Sequence, residues 1–197
     1  MNLTELTTPA TVSYPLAAFK DHLRLGSGFT DDSTQDDLLI ACLATAITTI
    51  EARTGKVLLE REYSWEIARW HTQERQGLPV SPVSGISAVS LISPDGSETV
   101  VDPGRYGLRK DDFRPELFAN NLPAIPTNGI ARVVFAAGFG GDWSDIPADL
   151  SQAVLMLAAN FYDDRGGCSA GSDGGLPFGV QMILERYRPV RLMGDRL

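Results

Sequence analysis

The chain has 197 residues, a formal net charge of −8, 43% hydrophobic residues and 21% charged residues, which suits one soluble domain or one domain with an appendage. An acidic chain does not attract nucleic acid from solution, because sequence-independent binding depends on basic side chains that neutralise phosphates. The longest apolar run, residues 154–161, is far too short to cross a bilayer, and we expect no secretion signal, because the start of the chain lacks the basic and apolar regions of one.

The first 55 residues predict a polar arm followed by two helices. Residues 1–14 are polar and contain several threonines, which predicts a flexible N-terminal arm. Pro15 begins a short helix. The longer helix that follows has a capping box at Ser33 and Asp36, apolar residues at three- and four-residue steps, and Gly55 at the position that commonly ends a helix.

The middle of the chain, about residues 57–136, predicts a small antiparallel sheet with long loops. Its short segments are rich in β-formers and are broken by many prolines. Residues 94–96, Pro-Asp-Gly, lie between two such segments and predict a hairpin.

Helical patterning returns in the last third of the chain. Pro147 lies in the first turn of an amphipathic helix, where its missing N–H costs nothing. Residues 166–176 are rich in glycine and predict a flexible linker. Pro177 begins a final helix and Pro189 ends it.

The charge of the chain is unevenly distributed. From Pro177 onward four arginines outnumber two acidic residues, so this end carries +2 and the first 176 residues carry −10. A basic tail on an acidic body is either a docking element or a solvated terminal helix.

Together these patterns predict a mainly α fold with a small antiparallel β insertion. Residues 15–165 would form a helical bundle core that carries the insertion, and residues 177–197 would form a C-terminal docking helix and tail. The helices on either side of the insertion cannot bury their apolar stripes alone, so we expect them to pack against each other, with the sheet set to one side.

The cysteines give no indication of a disulfide framework. Cys42 lies in an apolar helical pattern, where cysteine acts as a small core residue. Cys168 lies in the glycine-rich stretch. We therefore expect a reducing compartment.

A glycine cluster at residues 138–141 has the layout of a phosphate-binding loop, because it joins an apolar strand to a helix. A Walker loop also needs a lysine and a hydroxyl directly after the glycines. Here Asp142 and Asp145 follow, and carboxylates at a helix N-terminus occupy the place of a bound anion. We interpret the glycines as a tight turn with positive φ.

No catalytic, cofactor-binding or metal-ligating residue is predicted. His22 and His71 have no histidine or cysteine at metal-ligand spacing, and adjacent acidic residues point in different directions on a helix. The alternatives that remain open are a small hydrolase or nuclease that uses Asp111, Asp112 or His71 in the β insertion, a weak divalent-cation site at Asp111 and Asp112, and a regulatory or ligand-binding module.

The order of these segments resembles the head–tail connector (adaptor) proteins of long-tailed phages and phage-derived gene transfer agents. The resemblance covers about residues 14–193. Four motifs carry it. An Ile-Glu helix end is found at Ile50-Glu51, followed by Thr54-Gly55, and a Leu-Pro before the hairpin is found at Leu78-Pro79, followed by Pro82. An Ala-Gly-aromatic-Gly turn before a proline-started helix is found at Ala137-Gly138-Phe139-Gly140 with Pro147, and the closing Tyr-Arg is Tyr187-Arg188.

The resemblance implies a structural protein without enzymatic activity or cofactor. It implies a ring of twelve copies below the portal in the neck of the particle, with a stopper or tail-side protein on the other face and double-stranded DNA passing through the channel without specific binding. Assembly would occur in the bacterial cytoplasm, without a membrane. The portal would bind the C-terminal segment, for which the candidate contact residues are Phe178, Met182, Ile183, Tyr187, Arg188, Arg191, Leu192 and Met193.

Overall fold

The computed structural model of the chain describes residues 2–10, 13–25, 35–163 and 175–188. The chain divides into two compact units. The sheet unit comprises Met1–Pro9 and Val57–Gly141, and the helical unit comprises Ala10–Lys56 and Asp142–Leu197. Within the described ranges, no helix has the length and apolar character needed to span a membrane.

The sheet unit contains two antiparallel sheets. A five-stranded sheet has the order β1-β2-β8-β4-β5, and a three-stranded sheet has the order β3-β7-β6. The strands are β1 (Asn2–Glu5), β2 (Arg61–Ile67), β3 (Arg75–Gly77), β4 (Val83–Ile92), β5 (Glu98–Val100), β6 (Tyr106–Arg109), β7 (Glu116–Ala119) and β8 (Ile130–Ala137).

The core of the sheet unit lies on one face of the central strands. Buried and partly buried residues alternate along β8, because successive side chains of a strand point to opposite faces. Val133 and Phe135 are fully buried, and the Phe135 ring stacks on Tyr63 of β2 with 5.8 Å between the ring centroids. Leu117 of β7 belongs to the same buried cluster, so one core serves both sheets.

The helical unit contains α1 (Leu16–His22), α2 (Asp36–Thr54), α3 (Ala148–Asp163) and α4 (Phe178–Glu185). Each of the two long helices buries one apolar stripe, and the two helices pack against each other. Gly55 ends α2 in the left-handed conformation with φ +68°, and its N–H donates to the Glu51 carbonyl. The Lys20 ammonium of α1 forms an ion pair with Asp36 at the start of α2.

The prediction of a mainly α fold with a small β insertion is wrong, because the chain is α+β with substantial sheet. The described residues contain eight strands in two sheets and four α-helices, and the sheets have a buried core of their own. The sequence pattern understated the sheet because β4 shifts register between Val83 and Gly85 and again between Ile86 and Ala88. Such irregularities interrupt the period-two pattern by which a strand is recognised.

The first residues are an edge strand, where the sequence predicted part of a flexible arm over residues 1–14. Asn2–Glu5 pair with β2, and all four side chains are exposed. Backbone hydrogen bonds and one ion pair, Glu5 to Arg61 at 3.1 Å, hold β1 in place. A strand that buries no side chain has no apolar alternation, so the polar composition concealed it.

The glycine cluster after β8 forms a close turn within the sheet unit. Gly138 has φ +144°, and a Cβ at this position would lie 2.3 Å from the Glu60 Cα. The Gly138 N–H donates to the Pro82 carbonyl, and the Phe139 N–H donates to the Leu58 carbonyl. These donors are used within the fold, as the interpretation of a turn requires.

Several features predicted from the sequence lie outside the described residues. They are the predicted cap Ser33, residues 166–174 of the predicted linker with Cys168, and the predicted tail from Pro189 onward. Cys42 is buried in α2.

Candidate docking surface on the last helix

Helix α4 is anchored to the helical unit by one face. The helix begins after Pro177, and its buried residues are Val180 and Leu184. These two residues share one face of the helix because they are four positions apart. This face packs on α3 and α2. A Cβ added at Gly179 would lie 2.7 Å from the terminal methyl of Met156, so α4 meets α3 here at the end of a flexible side chain.

The opposite face of α4 presents two large apolar side chains to solvent. Phe178 is 77% exposed and Met182 is 54% exposed. They lie four residues apart and form a continuous apolar patch. An exposed phenylalanine and methionine on a well-anchored helix are typical of a surface that another protein covers.

The C-terminal end of α4 is fixed by Tyr187, whose hydroxyl donates to the Asp149 carboxylate at 2.7 and 2.8 Å. Burial and then this hydrogen bond to Asp149 raise the pKa of Tyr187 to about 12. Arg186 lies 3.7 Å from the same carboxylate, with a largely exposed side chain. Tyr187 therefore connects the end of α4 to the start of α3.

A small pocket of about 140 Å³ lies beside α4, between this helix and the end of α2. Its charged groups are Arg53, in the last turn of α2, Arg188, just beyond α4, and Glu185. Leu176 and the buried Leu184 also line the pocket, and Gln181 donates its side-chain N–H to the Leu176 carbonyl at 2.6 Å. The pocket lining therefore includes two leucines and a surplus of one positive charge.

The structure assigns different positions to the candidate portal-contact residues. Phe178 and Met182 face solvent, and Ile183 is partly buried between the two faces of α4. Tyr187 contacts Asp149, and Arg188 lines the pocket. Arg191, Leu192 and Met193 lie outside the described residues.

The contribution of Arg53 was not predicted from the sequence. This residue is 135 positions before Arg188, and only the packing of α4 against α2 brings the two side chains to one pocket. The sequence signal available was weak, namely a basic residue in the last turn of a helix, which the helix dipole explains equally well.

Two of the residues considered for an enzyme, Asp111 and His71, take part in local hydrogen bonds. Asp111 Oδ1 accepts hydrogen bonds from the backbone N–H groups of Phe113 and Arg114, at 2.8 and 2.7 Å, which is a turn-stabilising role. The backbone N–H of His71 donates to the Gln76 side chain. Across the described ranges, no three histidine, cysteine or acidic side chains are grouped in a way that could hold a metal ion.

Comparison with solved structures finds chains that match over all or nearly all of their length, and three of them belong to gene transfer agent particles. No family model matches the chain, and no curated protein matches it. A chain in the neck of an empty GTA particle, computed with C6 symmetry, is 42% identical over 100% of both chains, with a TM-score of 0.90. A chain in the virion of a native gene transfer agent (GTA) particle is 40% identical over 99% of both chains, with a TM-score of 0.86. A chain in the neck of a native GTA particle, computed with C12 symmetry, is 36% identical over 100% of both chains, with a TM-score of 0.83.

Proposed function

Because the chain belongs to the head–tail connector family of long-tailed phages and gene transfer agents, as a structural component of the particle neck, we propose that it is the adaptor that joins the portal to the tail. In this proposal twelve copies form a ring below the portal, and the ring surrounds part of the DNA channel. A stopper or tail-side protein binds the other face, and the copies assemble in the bacterial cytoplasm.

The symmetry of the similar necks supports a ring of twelve. One neck was computed with C12 symmetry and the other with C6 symmetry, and a twelvefold ring contains the sixfold axis. A cyclic ring of more than two copies requires a heterologous interface, in which two different surfaces of each copy meet. A ring of twelve therefore needs one surface for each neighbour in addition to the surfaces for the portal and the tail side.

The charge of the chain supports passage of DNA without retention. The first 176 residues carry −10, and a channel with few basic groups does not accumulate the phosphate contacts that give DNA its sequence-independent affinity. We propose that the chain makes and breaks no covalent bonds. Turnover of a nucleic acid or ester substrate by the purified chain, lost in the variant Asp112→Ala, would contradict this.

The main support for portal docking is the exposed pair Phe178 and Met182, which lies on a helix whose opposite face is buried. The patch lies on the segment with the basic surplus, so apolar contact and charge are available to one partner. Exposed aromatic and methionine side chains of this kind become the central contacts of protein interfaces.

The experiment replaces the apolar pair and leaves the anchored face intact. The double variant Phe178→Ser and Met182→Ser should fold as the unaltered chain does, since both side chains are mostly exposed, and should no longer co-purify with the portal protein or support tailed particles. The matched control is Phe113→Ser, because Phe113 is 49% exposed but belongs to the sheet unit. Normal portal binding and normal tailed particles with the double variant would refute this docking surface.

A further inference from the structure

The pocket beside α4 contains two guanidinium groups, those of Arg53 and Arg188, for which the described residues supply no ion-pair partner. Within the described residues neither Arg53 nor Arg188 takes part in an ion pair or a side-chain hydrogen bond. Arginine is suited to bind a carboxylate, because its planar fork of donors matches the two carboxylate oxygens. With Glu185 included, the formal charge of the pocket is +1, and one incoming carboxylate brings it to zero.

The pocket and the apolar patch lie on adjacent flanks of the same helix. At 3.6 residues per turn, Gln181 and Glu185 lie on the flank between the exposed and the buried face of α4. Arg188, just beyond the end of the helix, lines the same pocket. At 1.5 Å of rise per residue, Phe178 and Glu185 are about 10 Å apart along the axis. This is the length of about three residues of extended chain, so one short partner segment can contact both.

We propose that this pocket is the charged half of the portal-binding site and takes an aspartate or glutamate side chain of the portal protein. The portal segment carries an apolar side chain that covers Phe178 and Met182, and its acidic residue lies about 10 Å further along. Arg53, in the last turn of α2, and Arg188, just beyond α4, bind the carboxylate from two sides. This inference rests on the proposed portal docking and adds the chemistry of the partner segment.

In this arrangement, the apolar patch and the charged pocket make separate contributions to the binding free energy. The apolar patch supplies most of the buried area. The carboxylate fixes the register of the segment along α4, because the two guanidinium groups donate to it at the pocket. Since the charges are at the margin of the patch, their contribution depends on ionic strength, as is usual for charge pairs at an interface rim. The apolar contribution does not weaken in the same way.

The test measures binding of the full-length chain to the portal protein at 50 and 300 mM salt. The double variant Arg53→Met and Arg188→Met keeps the apolar stems and removes both charges. We expect binding at 50 mM salt to weaken at least tenfold and to lose most of its salt dependence. The control Arg105→Met removes an exposed arginine of the sheet unit and should bind as the unaltered chain does.

The outcomes separate this inference from the proposed function. Unaltered affinity and salt dependence in the double-arginine variant, with the apolar double variant defective, would overturn the carboxylate pocket and leave portal docking intact. Failure of the unaltered chain to bind the portal protein would overturn the docking itself. Competition of 1 mM inorganic phosphate with the portal protein would also overturn the inference, because it would show a general anion site. Restored binding when an acidic portal residue is changed to methionine together with the two arginines would support it.

Discussion

The backbone at Gly138 gives the most decisive stability prediction. Its φ of +144° is a conformation that other residues rarely adopt, and an added Cβ would lie 2.3 Å from the Glu60 Cα and 2.5 Å from the Glu60 nitrogen. Both are backbone atoms of the segment before β2, so no side-chain rotation relieves the contact. The variant Gly138→Ala must therefore move the two segments apart.

The expected cost follows from what this movement breaks. A non-glycine residue in such a conformation costs about 1–3 kcal/mol. Separation also weakens the hydrogen bonds from Gly138 N–H to Pro82 at 3.0 Å, from Phe139 N–H to Leu58 at 3.2 Å, and from Glu60 N–H to Gly140 at 2.7 Å, each worth about 1 kcal/mol net. We expect Gly138→Ala to lower the free energy of unfolding by about 3–5 kcal/mol.

The assay is urea unfolding of the purified chain, followed by tryptophan fluorescence, because Trp65 is buried in the sheet unit. Gly141→Ala is the matched control. Gly141 is three residues away, and an added Cβ would meet nothing within 4 Å, so its unfolding midpoint should be close to that of the unaltered chain. If Gly138→Ala unfolds within about 0.5 kcal/mol of this control, the account of the turn is wrong.

Three further variants, one of them with a control variant, test the core and the anchoring of α4. Phe135→Ala should lower the free energy of unfolding by about 3–5 kcal/mol, whereas Phe113→Ala, at a ring that is 49% exposed, should lower it by a smaller amount; equal losses in urea unfolding would contradict the assignment of the core. Gly179→Ala should stabilise the chain by about 0.5–1 kcal/mol, because only the mobile end of Met156 must shift; a loss of more than about 1 kcal/mol in the same assay would mean that this contact is rigid. Tyr187→Phe should cost about 1 kcal/mol at pH 9. The pKa of Tyr187 is raised from 10.0 to about 12 in the folded chain, so this contribution is complete below pH 10 and is lost as the pH rises through 12; a difference between the two proteins that persists unchanged at pH 12.5 would contradict it.

Turns and helix ends were predictable from the sequence where a single residue determines the backbone conformation. Gly55 ends α2 in the left-handed conformation, and the turn of the β4–β5 hairpin lies at the predicted Asp95 and Gly96. Gly96 has φ +84° there, and the Asp95 carboxylate accepts hydrogen bonds from the Ser97 N–H and hydroxyl. The hydrogen bonds from Ser97 lower the pKa of Asp95. These signals involve neighbours in the sequence and need no tertiary context.

The extent of the sheet was not predictable from the sequence, because the strands are identified by tertiary contacts and not by a local pattern. Strand β1 buries no side chain, so only its pairing with β2 identifies it. The three-stranded sheet is built from strands of three or four residues, too short to show a period. The burial of Leu117 reflects the core that the two sheets share, and no local pattern indicates such a core.

The candidate docking surface was predictable in part. The apolar and basic composition of the last helix identified the segment, but not which face is anchored. The structure assigns Val180 and Leu184 to the anchored face, Phe178 and Met182 to solvent, and Arg53 to the same pocket as Arg188. The separation of α4 into an anchored and a free face depends on its packing against α2 and α3, which the sequence of α4 alone does not specify.

The central claim is that this chain binds the portal protein through the exposed face of α4. Its most direct test is a cryo-electron-microscopy reconstruction of the neck of particles that contain this chain. We predict twelve copies directly below the portal, with Phe178 and Met182 covered by a portal segment. A neck in which that face of α4 is bare, or is covered by a tail-side protein, would contradict the claim.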